Sequence, residues 1–249
     1  MLRFFICVIV VILEFILVIP IMLIGLLIGL FSMKARDRFI KGVLDCFFGM
    51  INMVSGARVT YKGLEKIPRD CAVLYVANHA SFFDVLLVAP KFPSTTGFVA
   101  KKSFEKVPIF AQCMKLSRSL FLDRDDIKQG LKVILAAIEQ VKSGISIFIF
   151  PEGTRSRTGE MAEFKEGSMK VSVKSGCPIV PIAISNTAQV WENHFPWLEP
   201  AKVIIEVLDP IDPEDFDKDA KKHLGKYCHD LIENTKEKND REISASGVN

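Results

Sequence analysis

Residues 126–156 read DIKQGLKVILAAIEQVKSGISIFIFPEGTRS, and their texture decides the fold class. The first half opens on acidic residues, carries Ile127, Leu131, Ile134, Leu135, Ile138 and Val141 at helical spacing, and stops at Gly144. That pattern predicts a helix over Asp126–Lys142 with one apolar face. Ile145–Phe150 follows as the most apolar run of the body, and Pro151 ends it. A short, fully apolar run of this kind predicts a strand buried on both faces.

The same alternation extends in both directions. Short apolar or alternating runs at Arg58–Tyr61, Ala72–Ala77, Thr96–Ala100, Ser119–Leu122, Ile179–Ile184 and Val203–Val207 read as further strands. A last helix is expected from about Asp215 to Glu237, followed by a polar, disordered tail. The expected fold class is α/β: a mixed, largely parallel sheet flanked by helices. An N-terminal membrane-embedded helix or helical hairpin precedes it. The expected divisions are a membrane segment 1–33, an amphipathic connecting helix 34–57, one α/β domain 58–236 and a tail 237–249.

The membrane expectation rests on the start of the chain. Hydrophobic residues make up 49% of the 249 residues, and the mean hydropathy is +0.28. The excess sits in the first 33 residues, where Glu14 is the only charge between Phe4 and Met33. Phe15–Met33 is a charge-free run long enough to span or embed. A cleaved signal peptide is disfavoured, because the run is too long and no small-x-small site follows. Lys34, Arg36, Arg38 and Lys41 come next, against Arg3 alone before it. The positive-inside rule then puts the body on the cytoplasmic face, with the basic cluster against anionic headgroups. Pro20 and Glu14 leave open a break into two shorter helices that enter one leaflet and return. Ala35–Asn52 reads as an amphipathic helix along the membrane or over the core.

Composition excludes some classes. A net charge of +3 without a basic stripe gives no nucleic-acid footprint. Six scattered cysteines without a C-x-x-C pair suit a reducing compartment, not a disulfide framework.

Two strand ends carry chemistry. Asn78-His79-Ala80-Ser81-Phe82-Phe83-Asp84 follows Ala72–Ala77, and α/β folds place ligand chemistry at such ends. Five positions on a continuous helix rotate by about 140°, so His79 and Asp84 meet only if His79 lies in the loop before a helix that holds Asp84. The Asp carboxylate would then fix the imidazole tautomer and leave the other nitrogen as a base. The spacing alone also fits a helix-capping Asn-His turn. Phe150-Pro151-Glu152-Gly153-Thr154-Arg155-Ser156 follows the apolar strand. Gly153 permits a tight turn, Thr154 and Ser156 offer hydroxyls, and Arg155 offers a fork of donors that suits a phosphate. Glu152, beside Arg155, is placed to orient the guanidinium or a neighbouring hydroxyl. A surface turn with a solvated Arg is the other reading, and Walker spacing is absent. Lys101, at the end of a strand, and Arg124, after the run Leu120–Leu122, would complete a cationic pocket or be ordinary surface charge.

Taken together, the motifs resemble the glycerolipid acyltransferase family, most closely the 1-acyl-sn-glycerol-3-phosphate acyltransferases. Asn78–Asp84 matches the family's first block. Lys101 through Pro108 to Arg124 matches the second, Phe150–Ser156 with Phe164–Ser168 the third, and Val180–Ile184 the fourth, over about Lys62 to Val207. H-x4-D with F-P-E-G-T-R-S is the specific conjunction. The resemblance implies that His79 is a general base oriented by Asp84. It implies that Glu152, Gly153, Thr154 and Arg155 position the acceptor, with Arg155 on its phosphate and Lys101 and Arg124 assisting. The acceptor would be lysophosphatidic acid and the donor acyl-CoA or acyl-carrier protein. Membrane lipids would be partners, and no metal or redox cofactor is implied. Ser103, Ala111 and Ser117-Arg118 depart from the second block, which bears on acceptor and chain-length preference more than on the chemistry. Another lysophospholipid or glycerol 3-phosphate is the alternative acceptor. A non-catalytic membrane lipid-binding protein is the alternative of another class. A hydrolase lacks its nucleophile motif or ligand cluster.

Overall fold

The computed structural model describes residues 1–245. Two helices come first, α1 (Leu2–Phe31) and α2 (Met33–Ser55), and the chain reverses at Ser32 alone. Ser32 is extended and its hydroxyl accepts from Ala35 N–H at 3.2 Å, capping α2. The helices pack closely where α1 presents Gly25: a Cβ there would lie 2.9 Å from Ile40 Cδ1. Pro20 lies inside α1 and does not end it. Of the two options left open for residues 1–33, the structure has the single helix, and a hairpin forms instead between α1 and α2. Proline removes one backbone hydrogen bond, which the remaining turns of a long apolar helix absorb.

Seven strands follow: β1 (Arg58–Lys62), β2 (Leu74–Ala77), β3 (Thr96–Lys101), β4 (Leu120–Leu122), β5 (Ser146–Ile149), β6 (Ile179–Ser185) and β7 (Lys202–Val207). They make one sheet in the order β1-β7-β6-β2-β5-β3-β4. The five strands from β6 to β4 are parallel, β7 runs against β6, and β1 runs with β7. The sheet is mixed and largely parallel, as the strand–helix alternation predicts.

Both faces are covered, which is why the central strands are apolar throughout. Tyr75 and Ala77 of β2 face one core with Phe148, Phe83, Leu87 and Ile51, beneath α2 and α3 (Phe83–Val88). Leu74 and Val76 face the other, with Ala137, Ile138 and Val141 of α5 (Ile127–Lys142), Val171 of α6 (Lys170–Ser175) and Cys228 and Ile232 of α7 (Leu224–Ala245). The remaining helix, α4 (Pro108–Leu116), touches α1 through Cys113 Sγ and Met22 Sδ, 3.5 Å apart.

The last helix departs from expectation at both ends. Asp217 accepts from the amides of Asp219 and Ala220, so the chain makes a short turn there and α7 starts at Leu224. Residues 237–245, expected as disordered tail, continue the helix. Asn239 is fully buried, and Lys62 Nζ donates to Asn239 Oδ1 at 3.1 Å and Glu242 Oε2 at 2.6 Å. Residues 246–249 lie outside the described residues.

Candidate active site

The carboxyl ends of the parallel strands converge on one edge of the sheet, and the motif loops leave from it. β2 runs into Asn78, whose side chain donates to Ile184 O and accepts from Ile184 N, both at 2.8 Å. That pins the start of the loop to β6. His79 is in the loop and Asp84 in the first turn of α3, the arrangement the five-residue spacing requires.

His79 Nδ1–H donates to Asp84 Oδ2 at 2.7 Å. The same oxygen accepts from the amides of Ala80 and Ser81, each at 2.8 Å, and Oδ1 accepts from Thr187 Oγ1 at 2.5 Å. Asp84 is fully buried, so these four donors replace its hydration. The imidazole lies flat on Phe150, with centroids 3.8 Å apart and planes 12° apart. Position, tilt and tautomer are thus all fixed. Among the described residues none hydrogen-bonds Nε2, which leaves it as an acceptor on the partly open side of the ring.

The second loop is built onto the first. Glu152 Oε1 accepts from His79 N–H at 2.6 Å and Oε2 from Ala162 N–H at 3.0 Å, while Ser156 N–H donates to His79 O at 2.8 Å. Glu152 therefore orients the His79 backbone, and not the Arg155 guanidinium or a hydroxyl as its place in the sequence suggests. Gly153 has φ +77°, the left-handed conformation that closes the turn, and a Cβ there would lie 3.0 Å from Lys165 Nζ. Burial pushes the Glu152 carboxyl above its usual range, against the two amide bonds that favour ionisation. A carboxyl raised by folding contributes stability that is full below its unfolded pKa, about 4.3, and is lost as pH rises through the raised value. Glu152→Gln is expected to remove that slope from unfolding free energy measured against pH. It also leaves one amide donor unpaired, at a cost of about 1–3 kcal/mol.

Arg155 is only partly open to solvent. Its Nη1 donates to Glu192 Oε1 at 3.0 Å and its Cζ sits 3.8 Å from the centre of the Phe82 ring. Glu192 also accepts from Phe82 N–H at 2.9 Å and Ser81 Oγ at 2.6 Å, which ties the turn after β6 to both motif loops. One edge and one face of the guanidinium are engaged, and its side chain is 34% exposed. Other donors of its five therefore remain for a ligand. Thr154 is exposed beside it.

Lys101 ends β3, the neighbour of β5, and Arg124 follows the edge strand β4. Both are exposed and share the carboxyl edge with His79. With strands about 4.8 Å apart, β3 and β4 lie about 10 and 14 Å from β2 across the sheet. β3 is the direct neighbour of β5, which leads into Arg155, so Lys101 lies one strand and Arg124 two strands from it. Thr187 and Glu192 escaped the sequence reading. Their only signal is that they follow β6, another strand ending at this edge.

The arrangement holds an oriented imidazole with no protein nucleophile bonded to it. Among the described residues no Ser, Thr or Cys side chain hydrogen-bonds His79, and the nearby Ser81 hydroxyl is committed to Glu192.

A family model described as Acyltransferase matches residues 58–185. The 1-acyl-sn-glycerol-3-phosphate acyltransferase of Salmonella typhimurium is 31% identical over 198 residues, 79% of this chain and 80% of the relative. Its namesake from Haemophilus influenzae is 29% identical over 209 residues, 82% and 84% of the two chains. The crystal structure of the 1-acyl-sn-glycerophosphate acyltransferase PlsC from Thermotoga maritima superposes with a TM-score of 0.70 at 24% identity, over 90% of this chain and 97% of that one. The family match takes in more than half of the chain, including both motif loops, Lys101 and Arg124, and the chain belongs to the acyltransferase family.

Proposed function

We propose that the chain transfers a fatty acyl group from a thioester to the sn-2 hydroxyl of 1-acyl-sn-glycerol 3-phosphate, giving phosphatidic acid. One observation carries the reading: a rigidly oriented imidazole with a free Nε2 and no protein nucleophile beside it. The nucleophile then belongs to the substrate. The acceptor hydroxyl attacks the thioester carbonyl as Nε2 takes its proton. The tetrahedral adduct collapses, the C–S bond breaks, and the leaving thiolate takes the proton back from Nε2. Asp84 holds the imidazole and stabilises its positive charge during the step. The relatives' names supply the acceptor, and the free donors of Arg155 suit its phosphate. Lys101 and Arg124 along the edge suit the anionic donor, acyl-CoA or acyl-carrier protein. The chemistry needs no metal or redox cofactor, because a thioester carbonyl is already activated.

The membrane is part of the same reading. One helix, Leu2–Phe31, is long and apolar enough to cross a bilayer. It touches the body near its start, where Phe4 and Phe5 meet Trp197 at 5.6 and 6.2 Å, and again at Met22. Those contacts lie about 27 Å apart along a helix, so α1 runs along the body. This favours a hairpin held in one leaflet, on the cytoplasmic face by the basic residues after it, over a crossing helix.

The test is product analysis with the purified full chain, lysophosphatidate, and acyl-CoA and acyl-carrier-protein donors. Phosphatidate is the expected product. Its absence with every donor rejects the acceptor, and acylation of glycerol 3-phosphate instead favours the alternative. Arg155→Ala is expected to raise KM for lysophosphatidate by about tenfold, with kcat changed less. Glu192→Ala should raise it in wild type and add little in the Arg155→Ala background, because Glu192 acts by aiming Arg155. Additive effects would mean that Glu192 serves only the loop.

A further inference from the structure

The segment after β6 reads Trp191-Glu192-Asn193-His194-Phe195-Pro196-Trp197, and it holds both tryptophans of the chain. Its flanks are buried: Val190 is fully covered and Leu198 is 4% exposed, both in the core beneath α2. Backbone bonds from His194 N to Trp191 O at 2.9 Å and from Trp197 N to His194 O at 2.8 Å fold it into a compact turn. The aromatic rings are therefore presented by a fixed scaffold. Phe195 is nevertheless 71% exposed, and Phe82, which packs on Trp191, 43%.

A single exposed phenylalanine is unremarkable; the company this one keeps is informative. Trp197 packs against Phe4 and Phe5 at the start of α1. Two residues earlier Phe195 packs against Trp191 at 5.6 Å, and Trp191 against Phe82 at 5.6 Å. Phe82 carries the Arg155 guanidinium on its face. One turn thus carries two aromatic groups, Trp197 on the start of the apolar helix and Phe195–Trp191–Phe82 leading to the candidate phosphate ligand. Exposed Asn193 and His194 flank them, and the Trp191 indole N–H is satisfied by Pro196 O at 3.1 Å. Rings with an apolar body and polar neighbours suit the boundary between acyl chains and headgroups.

We infer that Trp191–Trp197 and Phe82 form a second membrane-contacting element, seated in the headgroup boundary of the leaflet that holds α1. The patch continues the surface of α1, so its occupant is lipid. Its consequence is a path. A lysolipid moving in that leaflet reaches Arg155 along aromatic rings without its acyl chain entering water. The inference rests on the reading of α1 as membrane-embedded and of Arg155 as the phosphate ligand.

Quenching by brominated lipid tests it on the full chain. Trp191→Phe and Trp197→Phe combined with Phe195→Trp leave a single indole at position 195. The protein is bound to anionic phosphatidylcholine/phosphatidylglycerol vesicles whose acyl chains are brominated either close to the glycerol or near the chain end. Loss of most of the emission with the shallow bromines, and less with the deep ones, is the expected result. Unchanged emission from vesicle-bound protein overturns the inference, whether water or a second copy of the chain covers position 195. Protein that does not float with the vesicles overturns the embedded hairpin as well, and is recognised before any emission is read. In a second arm, Phe195→Ser is expected to lower kcat/KM about tenfold on vesicle-held lysophosphatidate, from the loss of one inserted ring. It should leave a short-chain, water-soluble acceptor unaffected. Equal loss on both acceptors also overturns the inference.

Discussion

His79→Ala folds and loses acyl transfer by about a thousandfold, the order of magnitude a positioned general base supplies. The fold survives because the imidazole is the most replaceable of the partners of Asp84. The amides of Ala80 and Ser81 and the hydroxyl of Thr187 still hold the buried carboxylate, and the truncation opens a partly exposed position, not a sealed cavity. The lost hydrogen bond and ring contact with Phe150 cost about 1–3 kcal/mol of stability. KM for lysophosphatidate is expected to change little, since the proposed phosphate ligand is Arg155, not His79. Initial rates with a thioester donor, read beside the thermal melting temperature, check both halves. A folded variant that keeps more than about a tenth of wild-type activity would transfer the base role to another group.

The elements around that site differ in how legible they are. β2, β5 and β6 are buried on both faces, so unbroken apolar runs such as Ile145–Phe150 mark them in the chain. Asp126 before the periodic residues marks the start of α5, and its side chain caps Gln129 N–H at 3.0 Å. The tertiary partners are not legible. Nothing local to Thr187 or Glu192 distinguishes them from loop residues; they matter because β6 is hydrogen-bonded to β2, a pairing between segments about a hundred residues apart. Arg155 reads in the sequence as a fork of donors, but its engagement with Glu192 and Phe82 is a product of that strand order. At the C-terminal end local composition misleads. Polar residues 237–245 look like a tail, yet Asn239 is buried and Lys62 reaches two side chains there from β1. Local patterns report how much of an element is buried and by which face; they do not report which distant element does the burying.

Asp84→Asn separates geometry from charge, and the hydrogen bonds predict how. Three donors, His79 Nδ1, Ala80 N and Ser81 N, meet at Oδ2, and only the Thr187 hydroxyl meets Oδ1. An asparagine carbonyl placed at Oδ2 keeps all three. Its NH2 then faces Thr187, whose hydroxyl can rotate from donor to acceptor. The variant therefore keeps the loop, the tautomer and the orientation of His79, and melts close to wild type. It lacks the negative charge beside the imidazole at the moment the ring becomes positive. In a buried site that interaction is strong, so kcat is expected to fall by about a hundredfold to a thousandfold with KM nearly unchanged. Asp84→Asn combined with Thr187→Val removes the acceptor for the NH2 and leaves it unpaired in a dry site. The double variant is expected to lose about 1–3 kcal/mol more stability with little further loss of kcat. Steady-state kinetics and thermal melts of the three proteins check the separation. Near-wild-type kcat in the single variant would make Asp84 a purely structural anchor of the loop.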